Sequence, residues 1–301
     1  MQYTDHDYGD TAAEFAELRE LLIESYAIAG RPGNWLHSRL EDWKYGGNSQ
    51  RPARFFLENA RVWRDQAGRL AGACICEYGG DGVYLQVHRE HQSVEAAMLD
   101  WAVTIWGAGR PRVETYAYEH DEKRQRRLRE RGFENAGCNQ FMRRYDLARA
   151  YPAPLLPAGF WIGSLAEERD YDSYVAAVRS AFGRAVLTRA WFDSMITAPS
   201  YALEWNLVVC APDGQHVAFC LAWPDERNQI AEIDPVGTRA DYQQRGLAKA
   251  LVFECFRRLQ ARGIRRAYIA SGAEPAVGNR LYESLGPTEK LREDSWVKRL
   301  G

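Results

Sequence analysis

Between Tyr151 and Gly159 the chain reads YPAPLLPAG, with three prolines inside six positions. Proline has no amide hydrogen and a fixed φ, so the stretch resists both helix and central strand and reads as a linker. It divides 301 residues into two nearly equal parts, 1–150 and 151–301, each of ordinary domain size.

Both parts run through similar elements in a similar order. The first has an amphipathic helical stretch, Thr11–Ile28, then strand-like runs Phe55–Trp63 and Arg69–Tyr78 across an Asp65–Gly68 turn. Strand Gly82–His88, helix Ser93–Trp106, strand Arg112–Tyr118, helix Glu122–Arg131 and strand Asn139–Asp146 follow. The second has helical stretches Glu167–Phe182 and Arg189–Ile196, strands Glu204–Cys210 and His216–Trp223 around an Ala211–Gly214 turn, and strand Gln229–Gly237. Helix Gly246–Arg262, strand Arg266–Ser271, helix Ala276–Leu285 and a last strand near Asp294–Leu300 complete it. Strands that alternate with helices but also meet in hairpins predict an α+β fold with a mixed, mostly antiparallel sheet in each part, as from a diverged duplication.

Composition bounds the function classes. Hydrophobic residues make up 46% and charged residues 27%, which is globular, and a formal net charge of −2 supplies no global basic field for nucleic acid or an anionic membrane. The opening MQYTDHDYGD is acidic and polar, unlike a signal segment, and no run of roughly 18 apolar residues occurs. The chain therefore reads as soluble and cytoplasmic. Cys74, Cys76, Cys138, Cys210, Cys220 and Cys255 lack zinc-finger spacing and read as reduced thiols. His88 and His91 lack a third ligand at sensible spacing, so no metal is expected. The basic run Lys123–Arg131 is interleaved with Glu130 after Glu122 and reads as a solvated helix face.

The richest chemical signal is Glu232–Val252, EIDPVGTRADYQQRGLAKALV. Beta-prone residues end at Val236-Gly237, and after a polar turn Leu247, Leu251, Val252 and Cys255 fall on one helix face. The first turn of a helix leaves amides without partners, and its dipole makes that end positive. Gly246 lets backbone approach an anion, with Ala248 the next small residue and Gln243 and Arg245 as rim donors. Taken alone, the pattern also fits an ordinary helix start.

QQRGLA resembles the Gln/Arg-x-x-Gly-x-Gly/Ala signature of the GNAT acyltransferases, and PVGTRADYQQRGLAKALV resembles that region of bacterial tandem-GNAT proteins. The likeness spans the second part and departs in Ala240, where many relatives carry proline. It implies two tandem GNAT-like domains and acetyl-coenzyme A as co-substrate. It implies that Val236, Gly237 and Thr238 on a splayed strand pair with the pantetheine arm, and that Gln243, Gln244, Arg245, Gly246, Leu247 and Ala248 hold the diphosphate. EPAVGNRLYESLG, Glu274–Gly286, is similar to the family's Asn/Ala-x-x-Leu-Tyr-x-x-x-Gly helix. That likeness puts the Tyr282 hydroxyl beside the thioester sulfur, where a phenol of pKa about 10 can protonate a departing thiolate. Asn279, three residues earlier on the same face, hydrogen-bonds the cofactor or caps the helix. Pro287 stands where relatives usually carry phenylalanine.

The amine nucleophile must lose a proton, and carboxylates on the strand before the loop are the candidate acceptors. Glu232 and Asp234 sit two apart on one strand face. Glu232 comes first because it precedes Gln243 by eleven residues, the offset of the glutamate base in histone-type relatives.

In the first part the matching segment is Val83–Val103, VYLQVHREHQSVEAAMLDWAV. It has no glycine at the turn, and Glu95 puts a carboxylate where a diphosphate should sit. Arg127 or Leu128 stands near the expected tyrosine. Residues 1–150 thus read as a degenerate GNAT-like domain walling a substrate cleft, and 151–301 as the acyl-CoA-binding domain.

The expected activity is N-acetyl transfer from acetyl-CoA to a primary amine, on a small molecule or a peptide, by direct attack and without metal. The alternatives are a non-catalytic acyl-CoA-binding regulatory module and transfer of a longer acyl group. No nucleic-acid or membrane partner is expected, and the protein is expected as a monomer or homodimer.

Overall fold

The computed structural model describes residues 2–47, 51–274 and 276–301. The chain forms two compact units. One comprises the chain up to Leu40, Arg51–Phe141 and Leu291–Gly301; the other comprises Glu41–Gln50 and Met142–Lys290.

In the first unit β1 (Thr4–Asp7), β2 (Ala60–Arg64), β3 (Leu70–Ile75) and β4 (Tyr84–Val87) make an antiparallel sheet in that order. Helix α1 (Ala12–Ala29) starts at Thr11, whose hydroxyl accepts from the Glu14 amide at 3.2 Å, and buries Leu18, Leu22 and Tyr26. Helix α4 (Val94–Trp101) packs Val94, Met98 and Leu99 into a core with Trp63, Leu85 and Leu128, the last from α5 (Glu122–Glu130). Strand β5 (Arg112–Tyr118) pairs antiparallel with β12 (Glu289–Arg299), from Glu293 opposite Tyr118 to Arg299 opposite Arg112. Through β12, Trp296 enters the same core.

Two expectations shift here. The predicted strand Phe55–Trp63 begins as a helical turn, α3 (Phe55–Glu58), before β2. Phe55 and Phe56 are both buried, and Asn59 Nδ2 closes the turn by donating to Phe55 O at 2.9 Å. Adjacent aromatics suit a turn with both rings on one side, not a two-residue alternation. Strand β1 was not anticipated, because TDHD carries no apolar signal and is exposed throughout. Backbone pairing with β2 and ion pairs from Arg61 to Asp5 and Asp7 hold it.

In the second unit β7 (Trp161–Ser164), β8 (Asn206–Cys210), β9 (His216–Asp225), β10 (Ile230–Thr238) and β11 (Arg266–Gly272) lie in the order β11-β10-β9-β8-β7. The β10/β11 pair is parallel, and the other neighbours are antiparallel. Both faces are covered, so alternate residues part to opposite cores. Leu207, Val209, Ala231 and Ile233 meet Leu251, Cys255 and Phe256 of α8 (Leu247–Ala261). Val208 and Phe219 meet Tyr174 and Val178 of α6 (Tyr171–Phe182) and Phe192 of α7 (Arg189–Met195). The segment that follows α2 (His37–Glu41) belongs here. The Glu41 carboxylate accepts from the Ser200 amide at 2.7 Å and hydroxyl at 2.8 Å, and Ser194 Oγ donates to Tyr45 O at 2.7 Å.

The expected α+β architecture, with a mixed, mostly antiparallel arrangement of strands flanked by helices, is the one observed. Among the described residues no helix is long and apolar enough to cross a membrane, and the six cysteines are free thiols.

Candidate active site

A diverging strand pair creates the site. Strands β10 and β11 pair only over Ile230–Glu232 and Arg266–Tyr268, although both continue, to Thr238 and Gly272. The cause lies on the opposite edge of β10. Its register with β9 runs to Ile233 opposite Ala222 and resumes at Val236 opposite Cys220, so β10 carries one extra residue. Such a bulge bends its strand and re-aims side chains. Beyond it, Val236, Gly237 and Thr238 stay on β9 and leave an edge toward β11 with no strand partner among the described residues. Gly237 is required for packing: a Cβ there would lie 2.3 Å from Phe219 Cζ and 3.0 Å from Ala181 Cβ of α6.

At the open end of this wedge the chain turns through Ala240–Tyr242 into α8. Gln243, Gln244, Arg245 and Gly246 are exposed, and Ala248 is half-buried. Leu247 is buried and anchors the helix start in the core. Gln244 and Gly246 both have positive φ, +62° and +78°. A Cβ on Gly246 would meet nothing within 4 Å, so this glycine is required by its left-handed conformation and not by a crowding neighbour. No side chain caps α8, which leaves the first-turn amides facing outward over the loop. Alternating left-handed residues turn successive amides toward one concavity, the arrangement that holds an anion. Arg245 is steered by its own neighbours: Nη2 donates to Asp241 O at 3.1 Å, and the guanidinium lies 4.8 Å from the Tyr242 ring centroid. Gln243 Nε2 reaches Thr238 O at 3.4 Å. The Ala240 amide donates to Ser180 Oγ at 3.2 Å, a bond that proline at this position lacks the hydrogen to make.

Helix α9 (Ala276–Glu283) carries Tyr282; Pro275, in the segment read as its motif, lies outside the described residues. Tyr282 is half-buried against the α8-side core. Burial raises its phenol well above the ordinary value, and the negative charge of Asp234 raises it further, opposed by Arg143. Sequence reasoning did not single out Arg143. Its side chain is fully buried, on β6 (Glu134–Asp146), and it donates to Glu283 Oε1 at 2.8 Å, Ser271 Oγ at 2.7 Å and Asn279 Oδ1 at 2.7 Å. Its carbon lies 5.9 Å from the Tyr282 ring centroid. Asn279 Nδ2 donates in turn to Gly272 O and Ala273 O, both at 3.1 Å. Asn279 therefore ties α9 to the end of β11. Tyr145 OH adds a bond to Tyr282 O at 2.8 Å. Together these bonds set the angle at which α9 presents Tyr282.

The two carboxylates differ in setting. Glu232 is 5% exposed and sits in register between Trp223 of β9 and Tyr268 of β11, at the last pair before the strands part. Asp234 is exposed, lies in the bulge, and acts electrostatically on Tyr282; its carbonyl accepts from Trp223 Nε1 at 2.8 Å.

The matching wedge of the first unit is filled by its own side chains. Val83 N donates to Glu114 O at 2.8 Å and Glu114 N to Asp81 O at 3.0 Å, so β4 and β5 begin as a parallel pair. Further along β4, Asn34 takes the edge: Val87 N donates to Asn34 Oδ1 at 3.0 Å, and Asn34 Nδ2 donates to Val87 O at 2.8 Å. Glu95, buried at the start of α4, is bound by Arg124 at 2.5 Å and by Arg127. A carboxylate thus occupies the basic cluster from within, and Arg124 is buried, so the run 123–131 is not wholly the solvated face expected of it. Leu128 is core.

A wedge between parallel strands, with amides at a helix start across its open end, is the arrangement of the GNAT fold class. Residues 177–286, within the second unit, match the family described as Acetyltransferase (GNAT) family. Over the whole chain the fold is that of tandem GNAT proteins. A tandem GNAT protein from the clavulanic acid biosynthesis pathway aligns at TM-score 0.67 and 15% identity, over 100% of this chain and 98% of that one. A GCN5-related N-acetyltransferase from Sphaerobacter thermophilus aligns at TM-score 0.64 and 22% identity, over 99% and 96%. A GNAT-family acetyltransferase from Colwellia psychrerythraea aligns at TM-score 0.62 and 11% identity, over 99% and 100%. No curated protein matches the chain.

Proposed function

We propose that the protein is an N-acetyltransferase that moves an acetyl group from acetyl-CoA to a primary amine, on a small molecule or a peptide, by direct attack. The observation that carries this reading is the wedge beyond Glu232 and Tyr268, with the amides at Gln243–Ala248 at its open end and Tyr282 against its side. In this reading Val236, Gly237 and Thr238 offer backbone to the pantetheine arm, and Gln243, Gln244, Arg245, Gly246, Leu247 and Ala248 hold the diphosphate.

The amine nitrogen bonds to the thioester carbonyl carbon as the carbon–sulfur bond breaks. The amine's proton passes to Glu232, or to Asp234, directly or through water, and Tyr282 gives its phenolic proton to the departing thiolate. A phenol held protonated by burial is suited to that part. Arg143 and Asn279 act through position, by fixing α9.

The test is thiol release with acetyl-CoA across a panel of amines, beside calorimetry. Tyr282→Phe should lower turnover by about tenfold or more at unchanged cofactor affinity. Unchanged turnover removes Tyr282 from the chemistry. Tight binding with no turnover on any amine would instead make the protein a binding module, and retention of a longer acyl-CoA would change the donor.

A further inference from the structure

The edge of the second unit's sheet farthest from β11 carries a cluster that acyl transfer does not use. Cys210 ends β8 and His216 begins β9; they face each other in register across a turn closed by Ala211 N to Gln215 O at 2.9 Å. Both are buried, at 0% and 1% exposure. Glu168, in the turn after β7, folds back over the strand, its amide held by Ser164 O at 2.7 Å. Gly163 makes this possible, since a Cβ there would lie 2.5 Å from Glu168 Cγ. One ligand-capable atom each of Glu168, Cys210 and His216 lies within 4.8 Å of the other two. Trp161 Nε1 fixes Glu168 Oε1 at 2.8 Å. The buried His216 Nδ1 has no hydrogen-bond partner, a costly arrangement for a polar atom unless something else engages the ring.

The geometry points to a site for a divalent transition-metal ion of the zinc class, bound by Cys210, His216 and Glu168 with water in the fourth position. Thiolate, imidazole and carboxylate together select this class over magnesium or calcium, which take oxygen ligands. Zinc–ligand bonds of about 2.0–2.3 Å put tetrahedral neighbours roughly 3.3–3.8 Å apart, so the three atoms, all within 4.8 Å of one another, need draw in by no more than about 1–1.5 Å. Glu168 is the half-buried member of the three, and its Oε1 is already held by Trp161, which leaves Oε2 to meet the ion. A thiolate and a carboxylate neutralise the dication. The ion clips the β7–α6 turn to the β8–β9 hairpin and steadies the start of α6, where Ser173 Oγ accepts from the His216 amide at 2.8 Å.

The test is titration of the chelator-treated full-length protein with cobalt(II). A thiolate-to-cobalt charge-transfer band in the near ultraviolet, intense visible bands, and loss of both on adding zinc are expected. Cys210→Ala, folded by circular dichroism and still binding acetyl-CoA, should lose the charge-transfer band. Glu168→Gln should keep the band at saturation but weaken cobalt affinity about tenfold. No band in the unaltered protein with cobalt in excess, or a band that survives Cys210→Ala, overturns the site.

Discussion

Gly246→Ala puts a methyl group into open space, yet it holds a non-glycine residue at φ +78°. The strain is about 1–2 kcal/mol. We expect thermal unfolding to show that loss, and calorimetry to show weaker acetyl-CoA binding as the loop relaxes away from the strained conformation. Retained affinity and stability would mean that the loop's geometry does not depend on this glycine. Arg143→Met is expected to be harsher. It strips hydrogen bonds from Ser271, Asn279 and Glu283 behind α9 and should cost about 3 kcal/mol in urea unfolding. The two residues also differ in legibility. Gly246 could be read in the sequence because a left-handed turn before a helix needs glycine and the local pattern records that need. Arg143 could not, since its partners lie 128 to 140 residues away and nothing in FMRRY separates a buried arginine from an exposed one. Gln244 was read as a ligand-facing residue, but its positive φ has no signature in its side chain.

At the scale of elements, the alternation of strands and helices was legible because each hydrophobic run keeps one period. The departures come where two influences meet. The extra residue in β10 has no marker but Pro235, and it is what separates β10 from β11 and places Asp234 apart from Glu232. The packing of α9 against the core bears on pH dependence. An unperturbed phenol ionises near pH 10. Burial and the Asp234 charge move Tyr282 upward, so its protonated, proton-donating form persists to higher pH than a free phenol's. Turnover should therefore show no alkaline fall-off through about pH 10, the ordinary tyrosine value, when followed by thiol release. Asp234→Asn removes one of the upward influences and should bring such a fall-off to lower pH, because burial and the neighbouring Cys220 then hold the phenol neutral without the Asp234 charge. A limb at the ordinary tyrosine pH in the unaltered protein would show that Tyr282 is not held in that environment.

For the whole molecule, two similar units do not mean two similar sites. Asn34 occupies the strand edge at Val87, and Glu95 takes up Arg124 and Arg127. We expect calorimetry to give one acetyl-CoA per chain, and Gly246→Val to abolish that single event; a second equivalent would show that the first wedge opens. The missing glycine and the Glu95 carboxylate were visible in the sequence, but Asn34 was not, since it comes from a loop more than fifty positions before the strand it covers.

The partition of the chain also has a consequence for synthesis. The first unit needs Leu291–Gly301, whose Trp296 enters its core and whose backbone completes the edge of β5. A ribosome that has finished the amino-terminal part has therefore made a unit still missing a strand. That unit must wait, with apolar surface uncovered, until the second has been translated, so the order of folding need not follow the order of translation.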